Sequence, residues 1–418
     1  LPREQKIVML SKEGIENCDS MLAQGGICVM RDEEDFEPYF EDTMKAGHYE
    51  NRKESVEIMI RSSREIIDHL VELGVQFDRN PDGSLNYTRE GAHSRPRICF
   101  HKDITGKEIT SVLQKRVKEL PNVRVLEYPA MTDILVSDGK CAGMSARTAQ
   151  GDTLYIHAAD TVMATGGIGG LYEHSTNYPC LTGDALAVAK KHGVKLEHLD
   201  YVQIHPTKLY SKKPTSLYSD KPGRSFLISE SARGEGAVLL NGRGERFVNE
   251  LLPRDVVSKA IMEEMEKEGS RHVWLSFEPV GEEEIRSHFP NIYKKCLEEG
   301  YDITREPIPV VPAQHYFMGG IHVDHESKTS MNRLYAVGET SCNGVHGKNR
   351  LASNSLLESM VFAERAAVQI KELLPDTDWE QIMDGSPVDE AKYKDLKGLQ
   401  QHYKDVVLQE IEAEKKRH

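Results

Sequence analysis

The chain lacks any run of about 18 consecutive apolar residues, so the sequence contains no candidate for a helix crossing a membrane. Its opening, Leu1-Pro-Arg-Glu-Gln, lacks the basic, apolar and small-residue succession of a secretory leader. The cysteines (Cys18, Cys28, Cys99, Cys141, Cys180, Cys296 and Cys342) include no C-x-x-C pair. That scatter argues against a disulfide framework, an iron–sulfur cluster and any metal centre, and points to the reducing cytoplasm. Positive charge is also in deficit. With 53 Lys and Arg against 67 Asp and Glu, the net charge is −14, which argues against nucleic acid as a partner. An acidic protein that binds a dianion needs a local positive pocket set against its overall field. At 418 residues, 39% hydrophobic and 29% charged, the chain should fold as a soluble protein of two or three domains.

The most informative stretch runs from Leu334 to Glu358. Leu334–Val337 has the composition of a short buried strand; Gly338-Glu339 ends it, a glycine-broken loop follows, and a helix begins near Asn354-Ser355. Leu356, Leu357, Met360 and Val361 continue at helical spacing. The first amides of such a helix have no partner within it, and with its dipole they suit a polar or anionic ring edge. His346, Lys348 and Arg350 lie between strand and helix. A basic loop is usually solvated, but flanks of this kind predict a crevice lining instead.

Elsewhere the residues speak more softly. Gly25-Gly26 permits either a turn or close approach of the backbone to a ligand. Residues 33–76 read as a linker followed by one or two amphipathic helices. Helix 109–120, strands 123–126 and 130–136, a hairpin over 139–158, and a buried strand ending at Thr165-Gly166-Gly167 are predicted next. Asp184 stands where it could cap the helix 185–192. His205 follows a strand into a His-Pro turn, and a lone histidine is more often structural. Ser229 and Glu230 open a polar, glycine-rich loop. Arg254 sits at a helix start behind Pro253, against the dipole, so an anion or partner should compensate it.

Taken together, these segments resemble the flavoprotein superfamily of fumarate reductases and succinate dehydrogenases, and within it the L-aspartate oxidases. The likeness covers nearly the whole chain, with the motifs in the family's order. It implies an α/β fold: a Rossmann-like FAD-binding domain (1–198 and 317–385), an inserted α+β capping domain (199–316) and a short helical tail (386–418). The strand at residues 6–12 then matches the second strand of a dinucleotide fold, and the first strand with its G-x-G-x-x-G turn is expected to belong to a longer form of the protein. Without it, the parallel sheet should have a gap.

The resemblance assigns flavin contacts to Ser11, Lys12, Asp19, Ser20, Gln24, Gly25, Gly26, Thr165, Gly166, Asp184, Glu339, Ser355 and Leu356. Asp19 stands where respiratory members carry a flavin-linked histidine, so the FAD should be non-covalent. Arg350, His205, His315 and Ser229 should hold substrate carboxylates, with Arg254 beside the reacting carbon. Thr88-Arg89-Glu90-Gly91-Ala92-His93-Ser94 matches the aspartate-oxidase signature, and Glu90 should face an ammonium group. The implied reaction is oxidation of L-aspartate to iminoaspartate, opening NAD synthesis, with fumarate or dioxygen as acceptor and quinolinate synthase as a candidate partner. The rivals are a soluble fumarate reductase or succinate dehydrogenase flavoprotein, and a flavin-free binding protein.

Overall fold

The computed structural model describes residues 1–172, 174–210, 226–374, 377–383 and 393–417. Ile7–Ser11 pairs in parallel with Val123–Glu127, and Leu334–Ala336 pairs in parallel with Thr161–Met163. These ladders are two separate two-stranded sheets. Ile7–Ser11 and Val162-Met163 wall one and the same cavity. Beside them, Ala130–Ser137, Lys140–Arg147 and Thr153–His157 form an antiparallel meander.

Helix Lys53–Leu73 carries its apolar residues at helical spacing, and Val56, Met59, Ile60, Ile67 and Leu70 are all buried. Gly74 adopts φ 108° and ends the helix, donating its N–H to the carbonyls of Leu70 and Val71. The buried face packs into the same core as Leu357, Val361 and Phe362 of helix Asn354–Leu373. Burying each such side chain stabilises by about 1.5–3 kcal/mol. This packing fixes the N-terminus of helix Asn354–Leu373 at the cavity wall.

A second apolar core belongs to residues between 209 and 310 and includes Leu239, Val257, Ile261, Phe277 and Phe289. It underlies an antiparallel sheet in the order Val202–Leu209, Ile308–Phe317, Val273–Ser276, Val238–Leu240. Helix Arg254–Glu268 lies against that sheet.

Two local expectations are corrected. The strand at Val202 does not end in a His-Pro turn but continues to Leu209. Pro206 lacks an N–H for the ladder, and a register shift between His205 and Lys208 accommodates it. Residues 230–234 are a short helix rather than a loop, because the Ser229 hydroxyl accepts the Ser231 N–H and caps it. At the C-terminal end, helix Leu396–Lys415 packs on helix Asp184–Lys191, with Tyr403, Val407 and Ile411 buried. The anticipated boundary near residue 385 lies outside the described residues.

Candidate active site

Each of the six nominated substrate contacts and thirteen nominated flavin contacts lines one cavity of about 930 Å³. They arrive from separate elements. Strands Val202–Leu209 and Ile308–Phe317 supply His205 and His315, the start of helix Arg254–Glu268 supplies Arg254, and loops supply Glu90 and Arg350. Of the basic trio in the glycine-broken loop, only Arg350 reaches the cavity. His346 is buried with its Nε2 3.5 Å from the Tyr316 hydroxyl, and the Lys348 amine lies 5.6 Å from the Tyr201 ring centre. The crevice reading therefore fails for His346 and Lys348, whose directions are set by tertiary partners.

Arg350 is buried with its guanidinium 4.4 Å over the Tyr316 ring and Nη1 3.2 Å from the Ser355 hydroxyl. Burial, then the neighbouring Arg254 charge, pulls its pKa down to about 10. His205 Nδ1 accepts the Thr207 N–H at 3.1 Å, which leaves Nε2 as the protonated nitrogen. His315 Nδ1 meets the Thr176 hydroxyl at 2.7 Å, and the two imidazoles stand edge to face 5.0 Å apart. Burial first, then Arg254, drives both rings well below their ordinary range, so they are neutral at neutral pH.

Arg254 explains its own unfavourable place at a helix start. Its Nε bonds the Glu230 carboxylate and Nη1 lies 2.9 Å from Gln203 Oε1. Arg233, also buried, approaches Glu230 at 3.6 Å. Burial pushes the Glu230 carboxyl up, yet the guanidiniums of Arg254 and Arg233 outweigh it and hold the group below its ordinary value. Glu90 is only 2% exposed. It accepts hydrogen bonds from the hydroxyls of Ser231 (2.8 Å) and Ser353. Burial, then the Glu230 charge, raises its pKa. A Cβ at position 25 would collide with the Glu90 carboxylate, so Gly25 makes room for that side chain.

On the other side of the cavity, Lys12 Nζ binds Asp184 Oδ2 at 2.6 Å and Thr182 Oγ1 at 3.0 Å. Gly183, at φ 71°, is the residue that precedes the helix, and Asp184 serves as the anchor for Lys12. Asp19 accepts the Tyr178 N–H at 2.9 Å, and Glu339 accepts the Phe317 N–H at 2.9 Å. Burial, then Asp19, pushes Glu339 upward.

These residues fit a bound flavin together with a small dianion. The opening amides of helix Asn354–Leu373 have no intrahelical partner and, at Ser355 and Leu356, border the cavity. Arg350 Nε and His205 Nε2 are buried donors without a protein acceptor. All seven cysteines are free, and burial raises the thiol pKa of each, to about 12 at Cys99 and Cys342. Among the described residues, Glu235, Glu284 and His288 come close enough to share a cation, but His288 Nδ1 already bonds Glu284 at 3.1 Å and none of the three lines the cavity.

Glu230, Arg233, Ser231 and Ser353 escape sequence reasoning as parts of the site. Charged residues inside Glu230-Ser-Ala-Arg-Gly-Glu-Gly236 look solvated, and only the alternation of opposite charges with small residues hints at a buried cluster.

The FAD binding domain family matches residues 2–356. The L-aspartate oxidase of Clostridium perfringens is 50% identical over 88% of this chain and 82% of its own length. This chain belongs to the L-aspartate oxidase family. The enzyme of that name from Neisseria meningitidis is 40% identical, over 88% of this chain and 74% of its own. Among solved structures, a quinol fumarate reductase chain from E. coli superposes with a TM-score of 0.80 at 32% identity, covering 96% of this chain and 70% of that one. FAD is accordingly the family's cofactor, and the flavin-free rival is set aside. Among the described residues no helix is long and apolar enough to cross a membrane.

Proposed function

We propose that this protein oxidises L-aspartate to iminoaspartate, the first step of NAD synthesis, and that fumarate or dioxygen takes the electrons. The observation that carries the substrate assignment is a buried carboxylate, Glu90, held by two serine hydroxyls, in a cavity where the other buried acid of the substrate end, Glu230, is paired with Arg254, beside Arg350 and two neutral imidazoles. A pure dicarboxylate would meet that acid as a like charge; an amino-dicarboxylate pairs its ammonium with it.

In this reading, the Arg350 guanidinium, the His205 and His315 rings and the Ser229 hydroxyl fix the two substrate carboxylates. Glu90 orients the nitrogen, and its raised pKa suits it to take up the ammonium proton before Cα reacts. The cavity stretch lined by Lys12, Asp19, Gly25, Gly26, Glu339 and Ser355 would hold FAD, which would supply the acceptor for the hydride lost from Cα. Backbone N–H groups at Ser355 and Leu356 stabilise negative charge at the cavity's ring-binding edge. In the fumarate direction Arg254 would hand a proton to the substrate carbon, with Glu230 and then Arg233 behind it to resupply it. Residues 199–316 would act as the cap over the site, with the remaining described residues up to 383 in the FAD-binding domain. We place the protein in the cytoplasm, where its free thiols stay reduced, and quinolinate synthase is a candidate acceptor of the short-lived product.

Titrating the holoenzyme with L-aspartate and with succinate, followed by flavin absorbance, tests the assignment; tighter binding of succinate would refute it. The pH dependence is a second check. Glu90 titrates above the ordinary carboxylate range, so the Kd for L-aspartate should rise as pH falls through that raised value. His205 and His315, pushed well below 6.5, stay neutral over that window and do not mask it. Succinate binding should show no matching loss.

A further inference from the structure

The signature segment that carries Glu90 also carries a histidine that does not line the cavity. His93 is buried, with Nδ1 2.9 Å from Arg97 Nη1 and Nε2 3.0 Å from the Ala352 carbonyl oxygen. A guanidinium can only donate, so Nδ1 accepts, Nε2 carries the proton and donates to Ala352. One tautomer satisfies both ends.

Arg97 is itself locked. Fully buried, it bonds Asp35 at 3.0 Å and Asp42 at 2.7 Å. Asp42 also accepts the Ser94 N–H and hydroxyl, each at 2.7 Å. The far end of the chain of contacts is equally specific. Ala352 precedes Ser353, which sits in the left-handed region at φ 61°, ψ 7°, a strained conformation for a residue with a side chain. Such a turn persists only when its surroundings hold it. His93 grips the carbonyl on one side of it, and the Cys28 N–H bonds the Ser353 carbonyl at 3.1 Å on the other. The reward of the turn is direction: the Ser353 hydroxyl lands on Glu90. The backbone N–H of His93 closes the circuit, donating to the Glu90 backbone carbonyl at 3.3 Å.

We propose that His93 is a positioning residue for recognition of the substrate's amino group, acting by holding the Ala352–Ser353 turn that aims a hydroxyl at Glu90. This rests on the aspartate reading and adds a route by which that acid is held in place. The carboxylate end has separate anchors. Gln203 Nε2 bonds the Arg350 carbonyl at 2.8 Å, and the Arg350 side chain lies on Tyr316 and Ser355. Loss of His93 should therefore loosen nitrogen recognition and spare the carboxylate grip.

The test is flavin-monitored titration of the holoenzyme with L-aspartate and succinate, in wild type, His93→Phe, His93→Gln and Ser353→Ala. His93→Phe should weaken L-aspartate binding about tenfold, in line with a lost hydrogen bond supporting a charged group, and succinate binding less than about twofold. Glutamine can accept from Arg97 and donate to Ala352, so His93→Gln should recover most of the difference. Ser353→Ala should reproduce the selective loss with His93 intact, and supplies the answer if the phenylalanine variant does not fold. Equal weakening of both ligands in His93→Phe, failure of glutamine to rescue, or unchanged selectivity in Ser353→Ala would each overturn the proposal. A wild-type enzyme indifferent to the two ligands would instead defeat the aspartate reading.

Discussion

Arg350→Met should cost about a thousandfold in affinity for both L-aspartate and succinate while leaving the melting temperature unchanged or raised. The binding loss follows from charge. At about 4 Å and an effective dielectric near 20, a guanidinium–carboxylate pair contributes about 4 kcal/mol, which is roughly three orders of magnitude. The stability side runs the other way. Arg350 is buried with a serine hydroxyl and a tyrosine ring as its side-chain neighbours, and its pKa is pulled down to about 10. A cation whose folded-state pKa lies below its unfolded value destabilises the fold at every pH where it is charged, neutrality included. Methionine keeps an apolar stem against Tyr316 and removes that penalty. Thermal melts beside flavin titrations check both halves; intact binding with a large drop in melting temperature would contradict them together.

Glu90→Gln should lower kcat/KM for L-aspartate by about two to three orders of magnitude, again the scale of one buried charge pair. Turnover of succinate should hold or improve, since the amide removes a like charge facing the dicarboxylate. The two directions distinguish loss of recognition from general damage, which would depress both substrates. If L-aspartate oxidation survives the change, the nitrogen is recognised elsewhere in the cavity.

The readable parts of the chain were those whose local pattern and final environment agree. Helices Lys53–Leu73 and Asn354–Leu373 show their buried faces in their spacing, and the meander from Ala130 to His157 shows its turns. The start of helix Arg254–Glu268 was legible because Pro253 marks it, and the misplaced charge at Arg254 correctly demanded a partner. The identity of that partner was not legible. Glu230 and Arg233 belong to a buried charge cluster, where hydropathy points outward and tertiary pairing overrules it. His346 and Lys348 diverge from Arg350 for a related reason. The loop backbone is bound to a distant segment, through Asn51 to the Val345 carbonyl and the Lys348 N–H to the Gly47 carbonyl, and contacts that remote leave no trace in local order. The Rossmann-like class and the cavity residues came through motif resemblance, which joins segments that periodicity leaves apart.

The upward-shifted thiols bear on how such an oxidase endures its own chemistry. With dioxygen as the proposed acceptor, peroxide would form in the cavity that Cys18 and Cys180, both half-buried, border. Peroxide attacks thiolates, and a thiol held protonated is a sluggish target. The upward shift at both thiols disfavours the reactive thiolate, so intact mass after prolonged aerobic turnover should show little oxygen added at these positions.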